Sequence, residues 1–169
     1  MKIIYDTNII IDALRGNAFD ALFETEQEIF ISSENIPELN DDAKKMAPKI
    51  SNKEIIVLNT DEKTMERYMI LLRKYPSGPS FPDLVTLAHV FTSNLDTLAA
   101  ADKHLRRAAL GENIEPLWLG DLLKFLFVAG KMSQVEALQI CELAYQRGMP
   151  KFARKRWPLS EKNKSDAIT

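Results

Sequence analysis

The chain has 169 residues, with 24 acidic and 22 basic side chains for a formal net charge of −2, and 46 % of it is apolar. That length suits one domain with a real core and a short appendage, and the charge excludes a surface coated in basic residues, so any nucleic-acid contact must be a local patch. One cysteine, Cys141, and two histidines exclude an internal disulfide and a zinc ligand set.

The N-terminus carries no charged leader ahead of a long apolar stretch, and the run from Leu117 to Ala129 is broken by Gly120, Asp121 and Lys124. No membrane segment is expected, and the expected location is cytoplasmic. Cys141 falls within an apolar helical pattern and reads as a small buried hydrophobe.

In chain order, Lys2-Ile3-Ile4-Tyr5 is a short β-branched run that stops on Asp6-Thr7-Asn8, and the apolar run Ile9-Ile10-Ile11 with Ala13-Leu14 follows. This pattern predicts a buried strand, a polar turn and a helix. Residues 9–15 and 18–24 read as two short helices split near Gly16-Asn17, and Glu28 to Ile31 as a second strand. A helix from Asn35 to Met46 follows, with Pro37 in its first turn. Glu54 to Leu58 is a third strand. From Asp61 to Tyr75, Met65, Tyr68, Met69 and Leu72 make one apolar face, with Thr60 as the cap.

Tyr75 to Pro79 is a loop. Ser80-Phe81-Pro82-Asp83 has the spacing of a capping box for the next helix, which runs through Leu84, Val85, Leu87, Ala88 and Phe91. Leu95 to Ala101 is a fourth strand closed by Asp102, Lys103 to Leu110 a helix, and Ile114 to Trp118 a fifth strand, placed at a sheet edge because of Pro116. Five strands with intervening helices predict an α/β fold, a three-layer α/β/α sandwich around a five-stranded parallel sheet.

The domain boundary is placed near residue 118. Beyond it, Gly120 to Gly130 and Ser133 to Arg147 predict a C-terminal helical hairpin over 119–149, packed on the domain or extending from it, with Ser133 and Glu136 as a capping box. A basic segment from 150 leads to a tail, 161–169, with no apolar period and an expectation of disorder.

Four acids stand at element ends: Asp6 after strand one, Glu38 after strand two, Asp83 opening the helix before strand four, and Asp102 after strand four. In a doubly wound sheet all four fall toward the same edge. Crowded carboxylates repel unless a cation holds them, and hard oxygen ligands suit Mg2+ or Mn2+, with Asp6, Asp83 and Asp102 as the candidate ligands. Such a site supports phosphodiester hydrolysis. Each acid also has a plainer reading: Asp6, Asp83 and Asp102 as helix caps, Glu38 as a solvated helix residue. Thr7 and Asn8 orient the turn in either case. His89 reads as structural, and His104 as a solvent- or RNA-facing residue.

Asp6-Thr7-Asn8 after a strand, Glu38-Leu39 after a second, Asp83 opening an apolar helix and Ala101-Asp102-Lys103-His104-Leu105 after a later strand together resemble the PIN domain, over roughly residues 1–118. The resemblance implies a sheet order 3-2-1-4-5, with Asp6 and Asp102 on neighbouring strands. It also implies a metal-dependent endoribonuclease acting on single-stranded RNA through the catalytic acids Asp6, Glu38, Asp83 and Asp102. Many small members of the family are toxins of toxin–antitoxin pairs, so an antitoxin is an expected partner. Departures from the pattern are Ala100, where a hydroxyl residue is common two positions before the fourth acid, and Leu84, where a small residue is usual; Glu34 competes with Glu38 as the second acid.

Two basic patches are candidates for RNA: Lys103, Arg106 and Arg107 beside the fourth acid, and Arg147, Lys151, Arg154, Lys155 and Arg156 interleaved with Phe152 and Trp157. A solvated charged face is the alternative for both. A phosphoacceptor receiver domain would need an aspartate where Asn59 stands, and a haloacid-dehalogenase-like phosphatase one where Asn8 stands. A non-catalytic PIN-like scaffold that binds RNA or protein is the remaining alternative. A homodimer through the hairpin is a further expectation, from Leu122, Leu123, Leu126 and Phe127 on one helix and Leu138, Cys141 and Leu143 on the next.

Overall fold

The computed structural model describes residues 1–24, 26–149 and 156–159, with the backbone alone described over 40–43. The expected tail over 161–169, and Lys151, Phe152, Arg154 and Lys155 of the terminal patch, lie outside the described residues. The chain divides into two compact units, Met1–Ile9 with Glu26–Leu117, and Ile10–Thr25 with Trp118–Thr169.

The first unit is built on four parallel strands, β1 (Lys2–Tyr5), β2 (Glu28–Ser32), β3 (Ile55–Leu58) and β4 (Thr97–Ala99), in the order β3-β2-β1-β4. Ile3 pairs with Ile29 on one side and Thr97 on the other, so β1 is central. Near-continuous apolar runs such as Ile3-Ile4 and Ile29-Phe30-Ile31 are what a buried parallel strand requires, and all five side chains are buried.

The α/β class and the parallel sheet are as the alternation predicts, but the sheet has four strands and not five. At the expected fifth strand only Leu117 pairs, in an isolated parallel bridge to Ala99. Its N–H donates to Leu98 O at 2.9 Å and its carbonyl accepts from Ala100 N at 2.8 Å. The neighbouring Pro116 has no N–H to extend the ladder, and the Glu115 carbonyl is taken by the Thr97 hydroxyl at 2.8 Å.

Two helical expectations also change. The segment read as one helix from Asn35 is a 3-10 helix over Ser33–Asp42, followed by α2 (Ala43–Ser51); Pro37 lies within the tighter turn, and Ser32 Oγ accepts from Glu34 N at its start. The cap of α3 (Glu62–Lys74) is Asp61 rather than Thr60: its carboxylate accepts from Thr64 N at 2.8 Å, while Thr60 Oγ1 donates to Glu34 Oε1 at 3.1 Å.

α4 (Phe81–Thr92) packs on β1, β2 and β4, and α3 and α5 (Lys103–Gly111) pack on α4. Leu84, Leu87, Ala88, Leu98 and Leu105 form the centre of this core with Ile4 and Phe30. Burial of each large aliphatic side chain stabilises by about 1.5–3 kcal/mol. α4 therefore stands rigidly behind the carboxyl ends of the central strands.

In the second unit, α6 (Leu119–Val128) packs on α7 (Gln134–Gln146), with the predicted Ser133–Glu136 capping box at the start of α7. Residues 10–15 complete α1 (Thr7–Arg15), and a 3-10 helix covers Asp20–Glu24. Arg147 Nη1 donates to Arg15 O at 2.7 Å, Lys131 Nζ donates to Glu24 O, and a Cβ on Gly16 would lie 2.9 Å from Ile140. Cys141 is buried, and burial, with the charges of Asp12 and Asp121 adding, pushes its thiol up to about 12, which fits a core residue rather than a nucleophile. Leu122, Leu123 and Leu126 are buried too, while Phe127 is exposed and its ring stacks obliquely on Trp157 at 5.6 Å.

Candidate functional site

Three of the four acids, Asp6, Asp83 and Asp102, are set by the end of an element of the first unit, and Glu38 lies within the 3-10 helix after β2. The N–H of Asp6 continues the ladder onto Ala99 O at 2.9 Å, and its carbonyl accepts from Ile9 N at 3.1 Å as α1 begins. The carboxylate is thus fixed where β1 turns into α1, 1 % exposed, with Oδ2 accepting from Asn8 Nδ2 at 3.2 Å. Asp102 caps α5, its Oδ1 accepting from His104 N at 2.7 Å and Leu105 N at 2.8 Å. Asp83 closes the predicted capping box of α4: Ser80 N donates to its Oδ2 at 2.7 Å, and its own N–H donates to Ser80 Oγ at 3.3 Å.

Glu38 is exposed on the 3-10 helix, and its Oε2 accepts from Thr7 Oγ1 at 3.0 Å. That bond joins the turn after β1 to the segment after β2. Glu34, the competing acid, is turned instead toward Thr60 and exerts its field on His89.

Electrostatics tie the set together. Burial is the main cause that pushes Asp6 up to about 7; the negative charge of Asp83 adds to it, and hydrogen bonds from Asn8 and Thr7 oppose it. Asp83 is itself raised, first by burial and then by the charges of Asp102 and Glu38, against the lowering effect of Ser80. Asp83 is therefore the common neighbour of the other three. Among the described residues no three Asp, Glu, His or Cys side chains converge tightly enough to chelate one ion as they stand.

The cations divide. Lys103 and Arg107 are exposed on α5, but Arg106 is 9 % exposed and turns inward, its Nη1 donating to Ala100 O at 2.7 Å and Leu117 O at 3.1 Å. Arg106 holds the bridge segment against β4, which corrects its reading as an RNA contact. In the second unit Arg156 pairs with Asp121 at 3.2 Å, and Arg147 holds Arg15 and Asn17. His89 is buried, with its pKa lowered by burial and no hydrogen-bond partner for either ring nitrogen among the described residues, which fits the structural reading.

The sequence reading found the Ser80–Asp83 pairing as a capping box but did not find the Thr7–Glu38 bond. The capping-box spacing was the signal for Ser80; nothing in the sequence signals the Thr7–Glu38 bond. Asn35 and Thr86 form a further buried pair, with Thr86 Oγ1 donating to Asn35 Oδ1 at 3.2 Å.

No protein-family profile matches the sequence, and no curated protein does. Solved structures similar to it include, by their descriptions, a toxin and a toxin–antitoxin complex. VapC20 of Mycobacterium tuberculosis, described as a toxin that cleaves the sarcin–ricin loop, is 20 % identical over 63 % of this chain and 94 % of its own, with a TM-score of 0.49. A toxin–antitoxin complex from Klebsiella pneumoniae is 22 % identical over 64 % of this chain and 91 % of its own, with a TM-score of 0.48. At such identity and overlap the likeness says nothing of activity.

Proposed function

We propose that this chain is a PIN-type endoribonuclease that hydrolyses single-stranded RNA with a divalent metal ion, and that it is the toxin of a toxin–antitoxin pair. The observation that carries the nuclease reading is the position of Asp83, whose charge is coupled to Asp6 and which feels both Asp102 and Glu38. The toxin reading rests on the resemblance of the sequence to the PIN pattern, and an antitoxin protein is the partner it calls for.

The donor set suits a hard cation. Buried carboxylates such as Asp6 and Asp83, both raised first by burial, are neutralised by a divalent ion, and magnesium keeps several waters while taking only one or two carboxylates directly. Asp6, Asp83 and Asp102 would hold it, and a metal so placed supplies a bound water of lowered pKa and offsets charge on the phosphoryl oxygens. The rest is the work of the chain. Asn8 holds the Asp6 carboxylate, Ser80 holds Asp83, the first amides of α5 hold Asp102, and Thr7 fixes Glu38 beside them. Glu38 is the candidate for moving a proton at the attacking water, and exposed Lys103 and Arg107 are placed to meet phosphates.

A non-catalytic scaffold is the second reading, favoured by the lack of a ready three-ligand cluster among the described residues. Incubation of the purified chain with an unstructured mixed-sequence RNA in manganese separates the two. Cleavage lost both with chelator and in Asp6→Asn supports the nuclease. Cleavage that survives in Asp6→Asn, or none by the wild type, removes it.

A further inference from the structure

The first turn of α4, which carries Asp83, also carries an exposed aromatic ring. Phe81 stands at its first position, two residues before Asp83, and remains 43 % exposed. Its ring is not loose: it meets Tyr68 of α3 edge to face, with centroids 5.1 Å apart and planes at 80°. Pro82 fixes the backbone between ring and carboxylate, and the Ser80–Asp83 box fixes the turn on both sides. Across the preceding loop, Gly78 lies against His104, where a Cβ would be 2.7 Å from Nδ1, and Lys103 and Arg107 are exposed on that same helix. One loop thus has an aromatic on its α3 side, a carboxylate at its end and cations on its α5 side.

We propose that Phe81, backed by Tyr68, is a stacking platform for an unpaired base of the RNA, next to the phosphate brought to Asp83. This rests on the nuclease reading and adds a subsite to it. Phe81 and Asp83 are about 3 Å apart along the helix axis and about 200° apart around it, so they project to opposite sides of the first turn, and a nucleotide that meets both crosses the helix N-terminus. Single-stranded nucleic acids are bound in general by this pairing of aromatic faces with nearby cations, because every base has a π-face whatever its sequence. The exposed cations Lys103 and Arg107 on α5, the helix whose His104 lies against the loop before Phe81, favour a nucleotide over an apolar protein segment.

The test is equilibrium binding of a labelled unstructured RNA to the full chain by fluorescence anisotropy, with calcium in place of manganese so that binding is read without turnover. Phe81→Ala is expected to weaken binding roughly 5- to 150-fold, with Phe81→Trp close to wild type and the unfolding curve unchanged. The slope of log K against log salt stays the same, since Phe81 neutralises no phosphate. An RNA with one abasic position next to the cleavage point loses the same factor on the wild type and nothing further on Phe81→Ala. Binding of Phe81→Ala within twofold of wild type overturns the platform and leaves the nuclease reading standing. No RNA binding by the wild type removes both. A variant that keeps its RNA affinity but loses self-association in sedimentation assigns the ring to a protein contact and overturns the proposal.

Discussion

Burial holds the Asp6 carboxyl at about 7, and the negative charge of Asp83 adds to it. An acid whose folded pKa lies above its unfolded value of 3.8 takes up a proton on folding. Its penalty is absent below the unfolded pKa, grows between about 4 and 7, and is complete above 7. The metal-free chain is therefore expected to gain thermal stability as pH falls from 8 to 5, by about 2–3 kcal/mol at most from this group. Thermal unfolding in chelator across that range measures it, and Asp6→Asn should flatten the profile and raise Tm at pH 8. A profile for the variant identical to wild type would remove Asp6 as the cause.

The proposed metal site would reverse that penalty. Manganese held by ionised carboxylates there would displace the proton from Asp6, so its stabilising effect is expected to be larger at pH 8 than at pH 6. At a hundredfold excess over Kd the gain is about 2.7 kcal/mol. Calorimetric titration should show proton release near neutrality, and Asp102→Asn should lower the affinity. Equal shifts in Tm for wild type and Asp6→Asn would show that manganese binds elsewhere.

Ser80 serves the fold and the site at once. Ser80→Ala removes the acceptor for the Asp83 N–H and is expected to cost about 1 kcal/mol in urea unfolding. Cleavage should fall further than that loss explains, because Asp83 is less firmly oriented, and Ser80→Thr should restore both. Rescue of stability without activity would separate the two roles.

Arg106 and its neighbours on α5 should behave in opposite ways. Arg106→Ala leaves the buried carbonyls of Ala100 and Leu117 without this donor and is expected to destabilise by about 1–3 kcal/mol, with the salt slope of RNA binding unchanged. Lys103→Ala and Arg107→Ala are expected to alter stability by less than about 0.5 kcal/mol. Each should reduce the salt slope by about 1. A salt slope lowered by Arg106→Ala in a folded chain would contradict the inward assignment.

Gly78 has a φ of +116°, and a Cβ there would meet the His104 ring. Gly78→Ala is expected to cost about 1–3 kcal/mol. His104→Ala in the same chain should recover the part due to collision and leave the backbone part. Strictly additive effects of the two substitutions would mean that the ring moves aside freely.

Much of this arrangement was legible before the fold was known, for reasons visible at individual residues. Ile3-Ile4 and Ile29-Phe30-Ile31 carry the short apolar pattern of buried strands, whereas the order β3-β2-β1-β4 was expected only from the resemblance to the PIN domain. Asp6, Asp83 and Asp102 stood out because each marks the end of an element. The fifth strand was over-read: the apolar pattern of residues 114–118 is real, but pairing needs N–H groups that Pro116 lacks. Thr60 and Asp61 are both good caps, and only the three-dimensional course of the chain decides that Asp61 caps and Thr60 bonds to Glu34. Arg106 carried a signal that was passed over, since it adjoins Leu105 and precedes Ala109 by three on the buried face of α5. The Thr7–Glu38 bond carried none, because it joins two connections that meet only once the sheet is assembled.

The second unit interrupts the first, because residues 10–25 belong with the segment that begins at Trp118. The C-terminal helices are therefore interwoven with the chain rather than attached as a module. Shortening the protein after Leu117 would not isolate the first unit cleanly. It would leave the Arg15 carbonyl without Arg147, the Glu24 carbonyl without Lys131, and Gly16 facing the space of Ile140. Residues 10–25 would be the half of a small body whose other half had been cut away, and a loss of solubility in such a fragment would describe that orphaned stretch rather than the sheet of the first unit.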